Sequence, residues 1–343
     1  MVCWPPMSDA DRAVVYAGPG VLELRPHGPV AADDGEVAID VHRLGICGTD
    51  LLVWAGGLER VNPPVVIGHE FCGRIAAPGV PGLAPGTPVA VRPTMSCGEC
   101  DACVSGARHV CRHLRLIGID ADGAAARTVV APLANVTVLP ADLSLDLAVL
   151  VEPVAVAVHM VGRAGVRPGD RVVILGGGPV GALISRVCEG LGALVVVSEP
   201  NARRAELIAT DRITVLSPEL GVDRLIEASG GQGYDVAFEV AGVPATSEIA
   251  TRLVRPRGTV LLGGIPSAPL PVDIAAAVLK EVSIIGSRVY DNDDFAAAVR
   301  ILAERPEAFA GLITRVVKLP DAIEDAFELL RGSRDEMKIV IEP

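Results

Sequence analysis

The stretch Arg171–Pro200, RVVILGGGPVGALISRVCEGLGALVVVSEP, constrains the fold more than any other part of the chain. An apolar, β-branched run ends in glycines. A helix-forming segment follows at once, and then a second apolar run. Gly176, Gly178 and Gly181 stand in G-x-G-x-x-G spacing. A turn of this kind lets backbone N–H groups at a helix N-terminus meet a pyrophosphate closely. The spacing alone also fits a generic strand–helix turn. Its placement after a strand, with the acidic Glu199 closing the second run, points to dinucleotide binding. The expected phosphate-side residues are Gly176, Gly178, Pro179, Val180 and Gly181. Glu199 is expected to accept hydrogen bonds from both ribose hydroxyls and to repel a 2′-phosphate, which favours NAD over NADP. Arg203 and Arg204 follow. They could stack on adenine, hold a phosphate or face solvent, and Arg204 is counted with the cofactor.

The texture around this turn is alternating. DVAFEVAG, GTVLLGGIP and VSIIGSRVY read as further strands, with ATSEIATRLV and DIAAAVLKE as helices between them. That alternation predicts a parallel, doubly wound α/β sheet. Before it, to about Pro153, short Val-containing runs such as AVVYAGPG and ARTVVAPLANVTVLP are punctuated by Gly and Pro, which predicts a β-rich domain. AVAVHMVGRAGV reads as a buried helix reaching Gly162. Near the end DDFAAAVRILAE and AIEDAFELLRG read as helices, and MKIVIEP as a closing strand. With 343 residues, the chain has room for two domains with real cores.

Composition removes several function classes. The net charge is −12 and there is no basic run or aromatic–basic patch, so nucleic acid and anionic membrane are not expected partners. The apolar stretch LAVLVEPVAVAVHMV is broken by Glu152, Pro153 and His159, which leaves no membrane-spanning run. The N-terminal MVCWPPMSDADR lacks the pattern of a secretory signal, and residues before Arg12 read as a loose tail or an upstream start. A cytoplasmic location is the default expectation, and there structural disulfides are disfavoured.

Four of the eight cysteines nevertheless crowd into SCGECDACVSGARHVC: Cys97, Cys100, Cys103 and Cys111. In a reducing compartment the spacing C-x2-C-x2-C-x7-C suits a closed, four-thiolate structural zinc. Iron–sulfur proteins also use close cysteines, but their run usually ends sooner and before a proline, whereas Arg112 and His113 follow here. A second set of ligand types is scattered: Cys47 in GICGTD, His69 and Glu70 in GHE, and Glu152 in VEP. Each alone is unremarkable, and residue type leaves open whether they form a site. Glu152 is the most telling, because a carboxylate in an apolar run needs a cation, a metal or a hydrogen-bond network.

In order along the chain, GICGTD, GHE, the four-cysteine loop, VEP and GGGPVG resemble the zinc-dependent medium-chain dehydrogenase/reductase superfamily, over essentially everything after Arg12. The pattern is similar to the sorbitol and threonine dehydrogenase branches, which carry Glu after the zinc-binding His and a Glu-Pro pair. The resemblance implies a GroES-like catalytic domain at residues 1–155, with a structural zinc lobe at about 93–115. A Rossmann domain would follow at 156–291, and residues 292–343 would return to the catalytic domain, with the active site in the cleft. It also implies that Cys47, His69 and Glu70 hold a catalytic zinc, with Glu152 on the zinc or on its water. Thr49 would hydrogen-bond the reacting alcohol. The zinc count would be two per chain. The family's relay His, five residues after the zinc Cys, is replaced here by Leu52, so proton transfer would be shortened or rerouted. Trp54 stands where a pocket wall or a packed loop residue would be. Arg288 falls near the sheet end, where a related Arg helps hold substrate, and is grouped here with the cofactor side.

The activity implied is hydride transfer between a secondary alcohol (polyol, sugar, cyclitol or amino-alcohol) and NAD, giving the ketone. A threonine 3-dehydrogenase-like enzyme is the nearest alternative, and a non-catalytic nucleotide-binding member of the fold is the alternative of another class. A zinc-free quinone or enoyl reductase of the same superfamily would lack both cysteine sets. The partner expected is a small alcohol or ketone, and the assembly a homodimer or homotetramer. His42, His109, His113 and His159 have no role legible in the sequence, and Cys3, Cys72 and Cys188 read as packing or tail residues.

Overall fold

A computed structural model describes residues 12–28, 30–266 and 268–343. The expectations for the N-terminal tail and Cys3 lie outside the described residues. The chain divides into two compact units. One runs to Glu152 and resumes at Phe295–Pro343; the other is Pro153–Asp294.

The first unit is built on a mostly antiparallel sheet. Its strand order is Val136–Val138, Pro88–Val91, Glu70–Ile75, Glu36–Gly45, Lys338–Glu342 and Ile313–Lys318, with Thr128–Pro132 also paired to Glu36–Gly45. Glu36–Gly45 alternates buried and more open positions along much of its length, as a strand with one face on a core must. Its inward residues join Val14, Ile67, Phe71 and Phe327 in one hydrophobic cluster. The closing strand lies beside it, pairing Val340 with Gly45 and Ile341 with Leu44. The last residues of the chain therefore support the segment that ends at Cys47.

The second unit is a six-stranded parallel sheet in the order Ile213–Leu216, Leu194–Ser198, Arg171–Leu175, Tyr234–Glu239, Val254–Leu262 and Ser283–Gly286. Numbered within the unit, that order is 3-2-1-4-5-6, the dinucleotide-binding arrangement with its switch point beside the first strand. The central strands Arg171–Leu175 and Leu194–Ser198 are near-continuous Val, Ile and Leu runs, buried along nearly their whole length.

Two elements differ from the sequence reading. The helix expected to reach Gly162 spans Val151–Ala164, so it starts earlier and runs past the glycine. Pro153 is tolerated because it stands in the first turn, where no intrahelical N–H bond is lost. Gly162 has no Cβ contact to make, and the chain turns instead at Gly165, with φ +69°. AIEDAFELLRG is helical as expected, but Ile323–Glu328 is wound as a π-helix before Leu329–Gly332 resumes the α form. Trp54 meets this segment. Its ring packs edge-on against Phe327 at 6.2 Å between centroids, with the Arg331 guanidinium 5.0 Å above it. Trp54 is thus buried core.

No helix among the described residues is long and apolar enough to cross a membrane.

Candidate active site

Two segments that are distant in sequence converge in the first unit. Glu36–Gly45 delivers Cys47 at the N-cap of the short helix Gly48–Trp54. The loop before strand Glu70–Ile75 delivers His69, and the strand's first residue is Glu70. One ligand atom each from Cys47, His69 and Glu70 lies within 4.8 Å of the other two. His69 and Glu70 are buried and Cys47 is half-buried. Gly68 before them has φ +100°, and a Cβ there would run into Leu44, so this corner is closed to other residues.

Asp50 orients the group. Its Oδ2 accepts the Cys47 backbone N–H at 2.8 Å, and its Oδ1 stands 3.2 Å from His69 Nδ1. A carboxylate on Nδ1 fixes the imidazole so that Nε2 is the atom left for a metal. Burial alone would push the His69 pKa down; Asp50 and the Cys47 sulfur outweigh it and hold the pKa well above the ordinary value. Thr49 is the second residue of the same helix, its hydroxyl 3.7 Å from Cys47 Sγ. Glu152 is buried at the start of its helix and close enough to raise the pKa of Lys338, yet it stands outside the three-residue group. Leu52 is exposed on the helix.

A residue with no motif to announce it completes the cluster. Lys338 on the closing strand is buried, and its Nζ donates to Glu70 Oε2 at 2.7 Å and to the Ile46 carbonyl at 3.1 Å. Burial would lower its pKa, but the charges of Glu70, Cys47 and Glu152 outweigh that and raise it. Asp50 and Lys338 both escaped the sequence reading. Asp50, three residues after Cys47, matched a capping pattern; Lys338 had only an oddly placed charge in MKIVIEP as a signal.

The four-cysteine loop folds as expected of its spacing. Cys97 to Cys103 is 3.9 Å between sulfurs, Cys100 to Cys103 3.5 Å, Cys100 to Cys111 3.8 Å and Cys97 to Cys111 3.5 Å. A disulfide needs about 2.05 Å. A tetrahedron of zinc–sulfur bonds of about 2.3 Å places its corners about 3.8 Å apart, so the four thiols fit zinc. Backbone N–H groups of Arg112 and Cys103 draw the Cys100 thiol down to about 6, while burial pushes Cys103 up to about 11. A divalent cation bound by the four sulfurs would favour deprotonation of all of them.

In the second unit Gly176 has φ +106°, Gly178 caps the helix Pro179–Gly190, and Pro179 is its first residue. A Cβ on Gly181 would collide with the Gly176 carbonyl, which is why strand and helix can approach so closely only with glycine here. Val180 follows Pro179 in the same first turn. Glu199 is buried with Oε2 accepting from Gly177 N at 2.7 Å and Oε1 from Asn201 N at 2.8 Å. The Arg204 guanidinium lies beside Gly178, Arg203 is exposed, and Arg288 is exposed past the last strand. Glu239, not singled out by the sequence, organises the neighbouring strand end: its Oε1 accepts from Ala241 N, Gly242 N and the Thr246 hydroxyl.

A third group of ligand types, His159, Asp291 and Asp294, has another explanation. Asp291 Oδ1 accepts from the N–H groups of Asp293 and Asp294, and Asp294 Oδ2 accepts from Asp291 N and pairs with His159 Nδ1 at 2.7 Å. This is reciprocal capping of the helix Asn292–Glu304. His42 pairs with Asp146, and Cys72 donates to the Leu145 carbonyl; Cys188 is buried.

Known proteins are similar to this chain. The family described as alcohol dehydrogenase GroES-like domain matches residues 33–141, and that described as zinc-binding dehydrogenase matches residues 179–304. The chain is 36% identical to a 2-dehydro-3-deoxy-L-galactonate 5-dehydrogenase of Pseudoalteromonas atlantica, over 96% of this chain and 98% of that one. The chain belongs to the zinc-dependent medium-chain dehydrogenase family. It is also 34% identical to an L-threonine 3-dehydrogenase of Pyrococcus horikoshii, over 96% and 97% of the two chains. The crystal structure of a zinc-binding dehydrogenase from Sinorhizobium meliloti, bound to NADP, matches with TM-score 0.88 at 30% identity, over 97% of this chain and 99% of that one. As a member of the family the protein is an oxidoreductase interconverting alcohol and ketone.

Proposed function

We propose that the protein oxidises a secondary hydroxyl of a polyhydroxylated substrate with NAD, through a zinc held by Cys47, His69 and Glu70. The observation that carries this reading is the convergence of those three ligand atoms within 4.8 Å, with Asp50 orienting His69. Three protein ligands leave a tetrahedral metal one position for substrate. Zinc, when bound, polarises the substrate oxygen and eases loss of its proton. The chain does the rest. Thr49, with its hydroxyl 3.7 Å from Cys47 Sγ, is placed to accept that proton, and exposed Leu52 offers no onward acid–base group, so the proton passes from Thr49 to water. Glu152 supplies a further buried carboxylate close to the cluster. The four-cysteine lobe would hold a second zinc, closed on all sides and without a role in the chemistry.

NAD is favoured over NADP because Glu199, locked by two backbone N–H groups, holds its carboxylate at the ribose end of the glycine turn. Arg204 would lie along the phosphates and Arg288 at the nicotinamide or substrate end. Glu199→Ala is expected to weaken NAD by roughly 10- to 100-fold, from the loss of a charge-assisted hydrogen bond of about 1.5–3 kcal/mol. Equal loss for NADP would remove the ribose role.

A polyol or sugar derivative fits the relative named for a galactonate; a β-hydroxy amino acid is the second reading, favoured by the relative named for threonine. We also place the protein in the cytoplasm, where its thiols stay reduced, as a homodimer or homotetramer. The edge strand Ser283–Gly286 and the exposed Ile265, Ile274, Val278 and Leu279 offer an apolar face to a second copy. The test of function is NADH formation by zinc-loaded protein with polyols, sugars, cyclitols, amino-cyclitols, galactonates and threonine. Turnover of threonine alone would replace the polyol reading with the second one. No turnover of any, with NAD and zinc bound, would contradict both.

A further inference from the structure

Glu70 has two claims on one carboxylate. It offers an oxygen to the group it forms with Cys47 and His69, and its Oε2 accepts a 2.7 Å bond from Lys338. The pair is sealed from solvent: Lys338 is 4% exposed and Glu70 1%. In so dry a setting a carboxylate that loses its ion-pair partner costs several kcal/mol. The surroundings are shaped for the pair. Gly45 lies against it, and a Cβ there would collide with Glu70 Oε2 and touch the Lys338 stem. Lys338 is held at its other side by the Ile46 carbonyl, next to Cys47. The strand that carries it is locked in register by Val340 opposite Gly45 and by Ile46 N donating to the Ile339 carbonyl.

Lys338 directs its hydrogen bonds to the Ile46 carbonyl and Glu70, not to Cys47 or His69, and among the described residues Glu70 is its ionic partner. A divalent cation bound by Cys47, His69 and Glu70 would itself draw on the Glu70 carboxylate that Lys338 already engages. A third positive charge at Glu70 must then reduce what the carboxylate gives to the metal.

We propose that Lys338 competes with the catalytic zinc for the Glu70 carboxylate, neutralising it in the metal-free protein and restraining it as a ligand in the loaded one. Lys338 is therefore a positioning residue acting through Glu70. Two consequences follow from the competition. Glu70 keeps a counter-charge when zinc is absent, so the first unit does not need the catalytic zinc to fold. When zinc is present, Glu70 donates less charge to it, which keeps the metal a stronger Lewis acid. The proposal rests on the reading of Cys47, His69 and Glu70 as zinc ligands.

By linkage, removing one of two competitors for a group strengthens the other. Lys338→Met and Lys338→Gln are therefore expected to bind the Cys47-dependent zinc roughly 5- to 100-fold more tightly than the parent, in competition against a chromophoric chelator. Both are expected to widen the gap in Tm between zinc-loaded and chelator-treated protein, with the treated form falling. A variant that folds only with zinc is the same result at its limit. In a Glu70→Gln background, where the shared carboxylate is gone, Lys338→Met should no longer tighten zinc. Unchanged or weaker zinc binding in both Lys338 variants would overturn the proposal, as would tightening that persists without Glu70. The ligand reading fails separately: it fails if the parent holds no zinc that Cys47→Ala removes.

Discussion

Two clusters of metal-ligand side chains lie in the same unit and are built in opposite ways. Cys97, Cys100, Cys103 and Cys111 come from a single short loop, and all four ligands are alike. Cys47 follows one strand and His69 with Glu70 opens another; the three are of different kinds and are steadied by Asp50 and Lys338. Four thiolates fill a tetrahedron and leave zinc nothing to do but fasten the loop. Three mixed ligands leave a coordination position for substrate. The first cluster depends on local spacing, and the second on the whole unit being folded, down to its last strand.

The difference can be broken by mutation. Cys47→Ala is expected to lower kcat by about a thousandfold or more, since the Lewis acid contributes several kcal/mol to the barrier, while Tm stays close to the parent's. Cys103→Ala is expected to do the reverse, lowering Tm and protease resistance of the loop while the folded fraction keeps its turnover per molecule. If both variants lost activity and stability together, the division of labour would be wrong.

A smaller effect tests the support around the mixed site. Asp50→Asn keeps the shape but weakens the hold on His69 Nδ1, and should cost roughly 10- to 100-fold in zinc affinity or turnover, as losses of this kind of support do. Zinc titration and steady-state kinetics would read it. Among the described residues the lobe thiols are held by backbone N–H groups and one another, and Asp101 pairs with Arg112 instead, so this graded response belongs to the mixed site.

The smallest effect concerns the group that only imitates a metal site. Burial pushes Asp294 up, but hydrogen bonds from His159 and the Asp291 N–H outweigh it and hold the carboxyl below the usual range. A lowered folded pKa means stability that is present above the ordinary carboxylate pKa and lost as pH falls through the lower folded one. Asp294→Asn should therefore lower Tm by a few degrees near neutral pH, and the deficit should shrink on the acid side of the carboxylate range. A deficit that stayed constant with pH, or one that depended on added metal, would contradict the capping role of His159, Asp291 and Asp294.

The same contrast explains what could be read before folding. The four-cysteine lobe and the glycine turn were legible because their chemistry is local: the spacing in SCGECDACVSGARHVC and GGGPVG carries it. The strand and helix alternation of the second unit was legible for the same reason, since parallel strands buried on both faces are plain apolar runs. The scattered ligands were legible only through their order along the chain and its likeness to a family. Lys338 was not legible, because a lysine near a chain end reads as solvated until a strand pairing carries it beneath Glu70. Trp54 stood between two readings until the π-helix of Ile323–Glu328 brought Phe327 against it. The helix Val151–Ala164 outran its expected end because Gly162 costs a helix only about 1 kcal/mol, which packing outweighs.

Zinc content per chain, measured on the parent, Cys47→Ala and Cys103→Ala after gel filtration, tests the two-cluster arrangement most directly. Two zinc ions in the parent and one in each variant, with NADH formation lost only in Cys47→Ala, is the expected result. One zinc in the parent, or two retained in Cys47→Ala, would contradict it.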